Sequence, residues 1–210
     1  MAFHLTNRVF FSTIIIVISK GETIMETGLQ LVQGRPADIT GRTEKEMGAY
    51  DFLDALGVPY ARVDHAPAMT MADCERTDAV LGTAMCKNLF LTNRQGTAFY
   101  LLLMPGDKPF RTKNLSAALG VARLSFGTPE KMEELLGVLP GSATVLGLAC
   151  DKEREVTLVI DREVLAGEYI GCHPMVNTAS LRIKMSDLLD KILPATGHTL
   201  TVVDLPREAE

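Results

Sequence analysis

Two apolar runs, residues 87–92 and 97–104, flank the segment Asn93-Arg94-Gln95-Gly96, a polar turn with glycine at its last position. Runs of this kind on either side of a short turn form a β-hairpin, and this is the strongest local signal in the chain. Around it, strand-like and helix-like segments alternate. Thr43 and Glu46 form a capping box that opens a helix to Leu56, which stops at Gly57. Pro59 precedes an extended stretch over 60–64, His65-Ala66-Pro67 is a turn, and Thr70 caps a second helix to Leu81 with Asp73 in its first turn. Pro105-Gly106-Asp107 ends the hairpin. A helix over 112–119 is closed by Gly120, a short strand covers 123–126, and Thr128-Pro129-Glu130 starts a helix that Gly137 terminates. Strands are expected at 144–148, 156–160, 168–172, 179–184 and 199–203, with a helix over 186–193 before the last of them. The fold class is α/β (α+β).

The 210 residues, 47% hydrophobic and 22% charged, suffice for one full core, and there is no repeat, linker or low-complexity segment. The expected organisation is a poorly ordered leader over 1–42 and a single domain over 43–210. Within the leader, residues 9–19 form an apolar run too short to span a bilayer, and no small-x-small cleavage site follows it. The reading is a misassigned start, with translation beginning at Met25 and no membrane partner. Cys74, Cys86, Cys150 and Cys172 show none of the paired spacings of a zinc or redox site, so free thiols in a reducing cytoplasm are expected. A net charge of −5 argues against non-specific nucleic-acid binding, so any RNA contact has to be local.

The chain lacks the Gly-x-Ser-x-Gly, His-Glu-x-x-His, P-loop and dinucleotide-glycine signatures. What remains is a set of polar residues in apolar surroundings. Lys87 stands at the mouth of a strand, where it fits either a snorkelling edge residue or a cation beside a phosphate or developing oxyanion. Asn88 next to it suits a turn or a hydrogen-bonding role. Pro140-Gly141-Ser142-Ala143-Thr144 is a small-residue loop whose N–H groups suit either a simple turn or an oxygen cradle. His173-Pro174-Met175-Val176-Asn177-Thr178 places a histidine after one strand and an amide before the next, again compatible with turn chemistry.

Taken in order, these segments resemble the YbaK/prolyl-tRNA editing family over roughly residues 50–205. The matching blocks are Lys87-Asn88-Leu89-Phe90-Leu91, Leu103-Met104-Pro105-Gly106-Asp107-Lys108, Leu124-Ser125-Phe126, residues 136–142, Asp151-Lys152-Glu153 and residues 173–179. The resemblance is greatest to free-standing alanyl-tRNA(Pro) deacylases. It implies a mixed, partly barrel-like β-sheet flanked by helices, and hydrolysis of the aminoacyl ester of a mischarged tRNA without metal or organic cofactor. By the same resemblance Lys87 binds the terminal nucleotide and assists the reaction, while Gly141 and Ser142 line the oxyanion loop, with Thr144 at its end. Asn88, His173 and Asn177 belong to the substrate pocket. The chain departs from the family pattern at two places: Val145 replaces a usual proline, and Met85-Cys86 replaces polar residues, which leaves the amino-acid choice open. The cysteine beside Lys87 suits either a buried filler or a thiol of lowered pKa.

Two further functions fit the same residues. One is a non-catalytic module binding a tRNA acceptor end or prolyl-tRNA synthetase; the other is a deacylase for cysteine, serine or threonine. The local RNA contact is expected from Lys87, Arg94, Lys108, Arg111 and Lys113, near the hairpin.

Overall fold

The structure, a computed structural model, describes residues 28–67 and 71–207. Two sheets form its frame. The first is antiparallel throughout and runs β1 (Leu31–Gln33), β2 (Tyr60–Asp64), β8 (Ala179–Lys184), β7 (Tyr169–Cys172). The second runs β5 (Ser125–Phe126), β3 (Cys86–Thr92), β4 (Phe99–Pro105), β6 (Val156–Asp161), β9 (Leu200–Val203). Its β3–β4 and β3–β5 pairs are antiparallel, and its β4–β6 and β6–β9 pairs are parallel. Met85, just before β3, bridges Gly171 of β7 and joins the two sheets. They share one core: Tyr60, Leu181 and Ile183 of the first sheet pack in the same cluster as Phe90, Leu101, Leu103 and Ile160 of the second. The arrangement is a mixed, partly barrel-like frame that does not close, as the family resemblance implied.

The hairpin forms as expected, with Leu89 opposite Leu102 and the Gly96 N–H closing its turn on the Asn93 carbonyl at 3.1 Å. Its side chains alternate between two cores. Cys86 and Phe90 join the shared cluster, whereas Leu89 and Leu91 pack with Leu102, Met104, Leu115 and Val203 in a second cluster on the opposite face. That second cluster is covered by α3 (Thr112–Leu119), which ends at Gly120 in the left-handed conformation. The shared core is flanked by α1 (Glu44–Ala55) and α4 (Pro129–Leu136). Thr43 caps α1 by accepting the Glu46 N–H at 3.1 Å. The Glu46 carboxylate turns inward to the buried Tyr50 hydroxyl at 2.8 Å.

Four expectations change. Residues 31–42 were read as part of a poorly ordered leader, yet β1 pairs with β2, and the Gly34 N–H donates to the Tyr60 carbonyl at 2.9 Å. Arg42 then clamps the segment to Asp64 at 2.9 Å and to Glu46. Residues 144–148 were read as a strand, but Val145–Ala149 is a 3₁₀ turn. Thr144 caps that turn, and Gly147 lies so close to Leu136 that a Cβ would approach its carbonyl at 2.8 Å. A short α5 (Arg162–Leu165), capped by Asp161, was not foreseen. The helix expected over 186–193 is α6 (Met185–Asp187), continued through a π turn at Leu188–Ile192 into α7 (Leu193–Thr196). The helix read as starting at Thr70 is α2 (Met71–Leu81); its proposed cap, Thr70, lies outside the described residues, as do the leader residues 1–27. No helix among the described residues is long and apolar enough to cross a membrane.

Candidate active site

The loop from β7 to β8 carries His173, Asn177 and Thr178 and is held from two sides. The His65 N–H, at the end of β2, donates to the Thr178 carbonyl at 2.9 Å. His173 Nδ1 lies 2.8 Å from the Ala179 carbonyl. A carbonyl only accepts, so Nδ1 carries the proton and Nε2 is left as an acceptor in the neutral ring. Burial lowers the His173 pKa below the ordinary histidine value and keeps that ring neutral, with the His65 ring adding in the same sense. The two rings stand 6.3 Å apart. His65 Nε2 meets the Ser180 hydroxyl at 2.9 Å. Met175, at the centre of the loop, is in the left-handed conformation with φ 65°, and its side chain is buried beside Gly137.

The small-residue loop reaches this cluster. Gly141 has φ 92°, a conformation that favours glycine, and a Cβ there would lie 3.8 Å from the Asn177 amide nitrogen. The Ser142 N–H and hydroxyl both donate to the Leu139 carbonyl, at 3.0 and 2.9 Å. Ser142 is therefore committed to holding the turn, and among the described residues its N–H is not available to a ligand as the sequence had implied. The Gly141 N–H takes no such partner among the described residues. Thr144 is fully buried close to Cys172, whose thiol it influences, and its hydroxyl accepts the Leu146 N–H at 3.3 Å. Val145, the departure from the family pattern, is buried at the start of the 3₁₀ turn that Thr144 caps.

Lys87 and Asn88 leave β3 on opposite faces. Asn88 shares a face with Cys86, whose thiol influences Cys172, so its amide projects on the side of Thr144 and β7. The Asn88 Nδ2 donates to the Cys86 carbonyl at 3.0 Å, while its Oδ1 is buried with no partner. Lys87 shares its face with Leu89 and Leu91, and its ammonium donates to the Lys108 carbonyl at 2.7 Å. The structure thus brings Gly141, Thr144, His173 and Asn177 together, sets Asn88 on their side of β3, and places Lys87 at the strand's other face.

Burial pushes the Cys86 thiol up to about 12, with nearby Asp78 adding to the effect. Cys86 is therefore a filler at the seam between the sheets, not an activated thiol. Sequence reasoning missed Asp78 and His65. The Asp78 carboxylate, raised by burial, accepts the Met85 N–H at 3.2 Å, and so fixes the residue that bridges to Gly171. Only pairing over long sequence distances reveals either role, although His65 beside a proline turn was visible as an isolated polar residue at a strand end. His65 and Thr178 also line a polar cavity of about 470 Å³ with Arg42, Glu46 and Asp64. Among the described residues, no group of three His, Cys, Asp or Glu side chains is placed to hold a metal ion.

The expected basic cluster is divided. Lys108 is fully buried and pairs with Asp161 and Glu163, each at 2.9 Å, so it cannot meet RNA. Arg94, Arg111 and Lys113 lie on the exposed surface.

Comparison with known proteins places these features in one family. The model of the aminoacyl-tRNA editing domain matches residues 65–191, from His65 of the paired rings to the π turn before α7. The prolyl-tRNA editing protein ProX of Acetoanaerobium sticklandii is 29% identical over 73% of this chain and 93% of its own. The prolyl-tRNA synthetase associated domain-containing protein 1 of Danio rerio is 33% identical over 87% of this chain and 95% of its own. A solved structure, described as a candidate trans-editing enzyme for prolyl-tRNA synthetase, shares the fold with a TM-score of 0.57 at 17% identity, covering 78% of this chain and 99% of that one. The chain belongs to the aminoacyl-tRNA editing domain family.

Proposed function

We propose that the protein is a free-standing editing hydrolase that cleaves the ester between a wrongly attached small amino acid and the terminal ribose of tRNA, with alanyl-tRNA(Pro) as its preferred substrate. The observation that carries this reading is the convergence of Gly141, Thr144, His173 and Asn177 on the side of β3 where the Asn88 Oδ1 is buried without a partner. An unpaired buried acceptor costs stability, and a donor on the bound substrate, such as a ribose hydroxyl or the α-ammonium group, relieves that cost.

In this mechanism water attacks the ester carbonyl carbon and the oxyanion forms against the Gly141 N–H. The bond to the ribose oxygen then breaks, and the water's proton passes to that oxygen, giving free amino acid and uncharged tRNA. Neutral His173 offers Nε2 to the α-ammonium group, and Asn177 orients the same end. Lys87, on the opposite face, holds the terminal phosphate. Buried Cys172 and Met175 at this loop favour a small side chain. Such a site complements a proline pocket, which rejects alanine by only about 1–3 kcal/mol per missing methylene. The names of the relatives support prolyl-tRNA synthetase as a second partner, and the reaction belongs in the cytoplasm, where aminoacyl-tRNA is used.

The test is loss of amino acid from alanyl-, cysteinyl- and prolyl-tRNA(Pro), with Lys87→Ala and Asn177→Ala in parallel. The expected result is release of alanine alone, with kcat/KM lowered about tenfold or more by Lys87→Ala, the scale of one lost hydrogen bond to a charged group. Release of cysteine instead moves the substrate within the reaction class. Binding without turnover of any misacylated tRNA overturns the hydrolase and makes the chain a binding module.

A further inference from the structure

Charge is distributed unevenly along this acidic chain. Between Ala79 and Thr128 there are six Lys or Arg residues and one acid, Asp107. With Lys108 buried in its ion pairs, Arg94 on the hairpin turn and Arg123 before β5 stand at one end of the second sheet. Together with Thr112, Leu124, Ser125 and Phe126 they line an open groove of about 600 Å³. Among the described residues, no acidic side chain lines it. Phe126 is 59% exposed on the outermost strand, and Phe110 supports it edge-on with ring centroids 5.9 Å apart. A large aromatic ring held by a second ring, yet turned toward water between two arginines, is a stacking platform flanked by phosphate ligands.

The groove is also aligned with Lys87. Phe126 pairs with Leu91 across β3 and β5. Paired residues share a face of the sheet, and so do residues two and four apart, so Phe126, Leu91 and Lys87 lie on one face. Four residues of β3 separate the two points by roughly 14 Å at about 3.4 Å each, with the buried second cluster and α3 lying between them. Phe110 stands between them in sequence, two residues after the carbonyl that receives the Lys87 ammonium.

We infer that the Phe126 groove is a second RNA-binding site. It stacks an unpaired base upstream of the terminal nucleotide on Phe126, while Arg94 and Arg123 hold the adjoining phosphates. The inference rests on the proposed function for the identity of its occupant.

The experiment has two arms. The first measures deacylation of alanyl-tRNA(Pro) and of a minimal substrate, alanine esterified to adenosine alone, by the wild type, Phe126→Ala, Phe126→Tyr and Arg94→Glu/Arg123→Glu. The expected result is a KM for the tRNA raised about tenfold in Phe126→Ala, within the range of one lost stacked base. Phe126→Tyr should restore it, the double variant should show a weakened salt dependence, and turnover of the minimal substrate should be unchanged, which also certifies the fold. Equal loss on both substrates, or no loss on either, overturns the groove and leaves the hydrolase standing. The second arm follows fluorescence anisotropy of a labelled single-stranded RNA pentanucleotide and is independent of turnover. Binding weakened by Phe126→Ala supports the groove even if no ester is cleaved, and binding equal in all four proteins overturns it. Capture of a protein partner through Phe126 with no change in RNA binding likewise overturns it.

Discussion

The Lys108 ammonium and the Asp161 carboxylate meet at 2.9 Å with neither side chain exposed to solvent. Burial opposes the charge on Lys108, but the hydrogen bonds to Asp161 and Glu163 hold its pKa above the ordinary lysine value. Asp161 also accepts the Glu163 and Leu205 N–H groups, and the carbonyl of Lys108 receives Lys87. Asp161→Ala removes the buried carboxylate of this pair and leaves the cation only the part-exposed Glu163, which should destabilise the fold by about 3 kcal/mol, the low end for breaking a buried pair. The double variant Lys108→Met/Asp161→Leu should lose less than the single one, since an apolar pair strands no charge. Urea unfolding of the two variants checks this; equal losses would count against a buried, desolvated pair.

Gly171 has no room for a methyl group. A Cβ there would lie 2.7 Å from the Ala84 carbonyl and 3.1 Å from the Met85 Cα, both main-chain atoms. Gly171→Ala should cost about 1–3 kcal/mol through forced separation of the two sheets. Gly48, inside α1 with open space around its Cα, provides the contrast. Gly48→Ala should stabilise by about 0.5–1 kcal/mol, because a helical glycine loses more backbone entropy on folding than alanine. Thermal melts of both variants read the opposite signs directly.

His173 gives the protein a pH-dependent stability of definite sign. Burial places its folded-state pKa below the unfolded value of 6.5, so in the window between the two the unfolded chain binds more protons. Stability should therefore begin to fall as pH drops through about 6.5, and this contribution should level off below the folded-state pKa. Urea midpoints measured from pH 8 to 5 should show this slope in the wild type and a weaker one in His173→Gln. An identical slope in both would assign the effect to another group.

The cysteines should separate by reactivity. Burial pushes the Cys86 and Cys172 thiols each up to about 12, whereas Cys150 is exposed. At pH 8 a disulfide reagent should modify Cys150 rapidly and should reach Cys86 and Cys172 only after denaturant is added. Rapid modification of Cys86 in the native protein would revive the thiol of lowered pKa beside Lys87.

Local chemistry made much of the frame legible. Thr43 and Thr128 cap helices where the sequence placed them, and Gly120 and Gly137 end helices in the left-handed conformation. Failures came where a distant partner decides. The three residues of β1 are all exposed and gain structure only by pairing with β2. The run Val145–Ala149 is apolar enough for a strand, and periodicity cannot distinguish that from a buried turn; Thr144 and the tight fit at Gly147 select the turn. Lys108 reads as a surface cation because its partner is 53 residues away. At the site, the residue types were legible and their sides were not. Lys87 and Asn88 are neighbours in sequence, yet strand alternation assigns them to different faces, and only the two packed clusters reveal which is which.

The parallel order β4-β6-β9 has a consequence for synthesis. The sheet that carries Lys87 receives its edge strand from residues 200–203, and the Leu205 N–H then donates to Asp161, which anchors Lys108 beneath Lys87. A chain emerging from the ribosome cannot complete this support from its early segments. The support of Lys87 is therefore completed late, and a nascent chain paused before Leu205 carries Lys87 and Lys108 without the edge strand and the hydrogen bond that finish it.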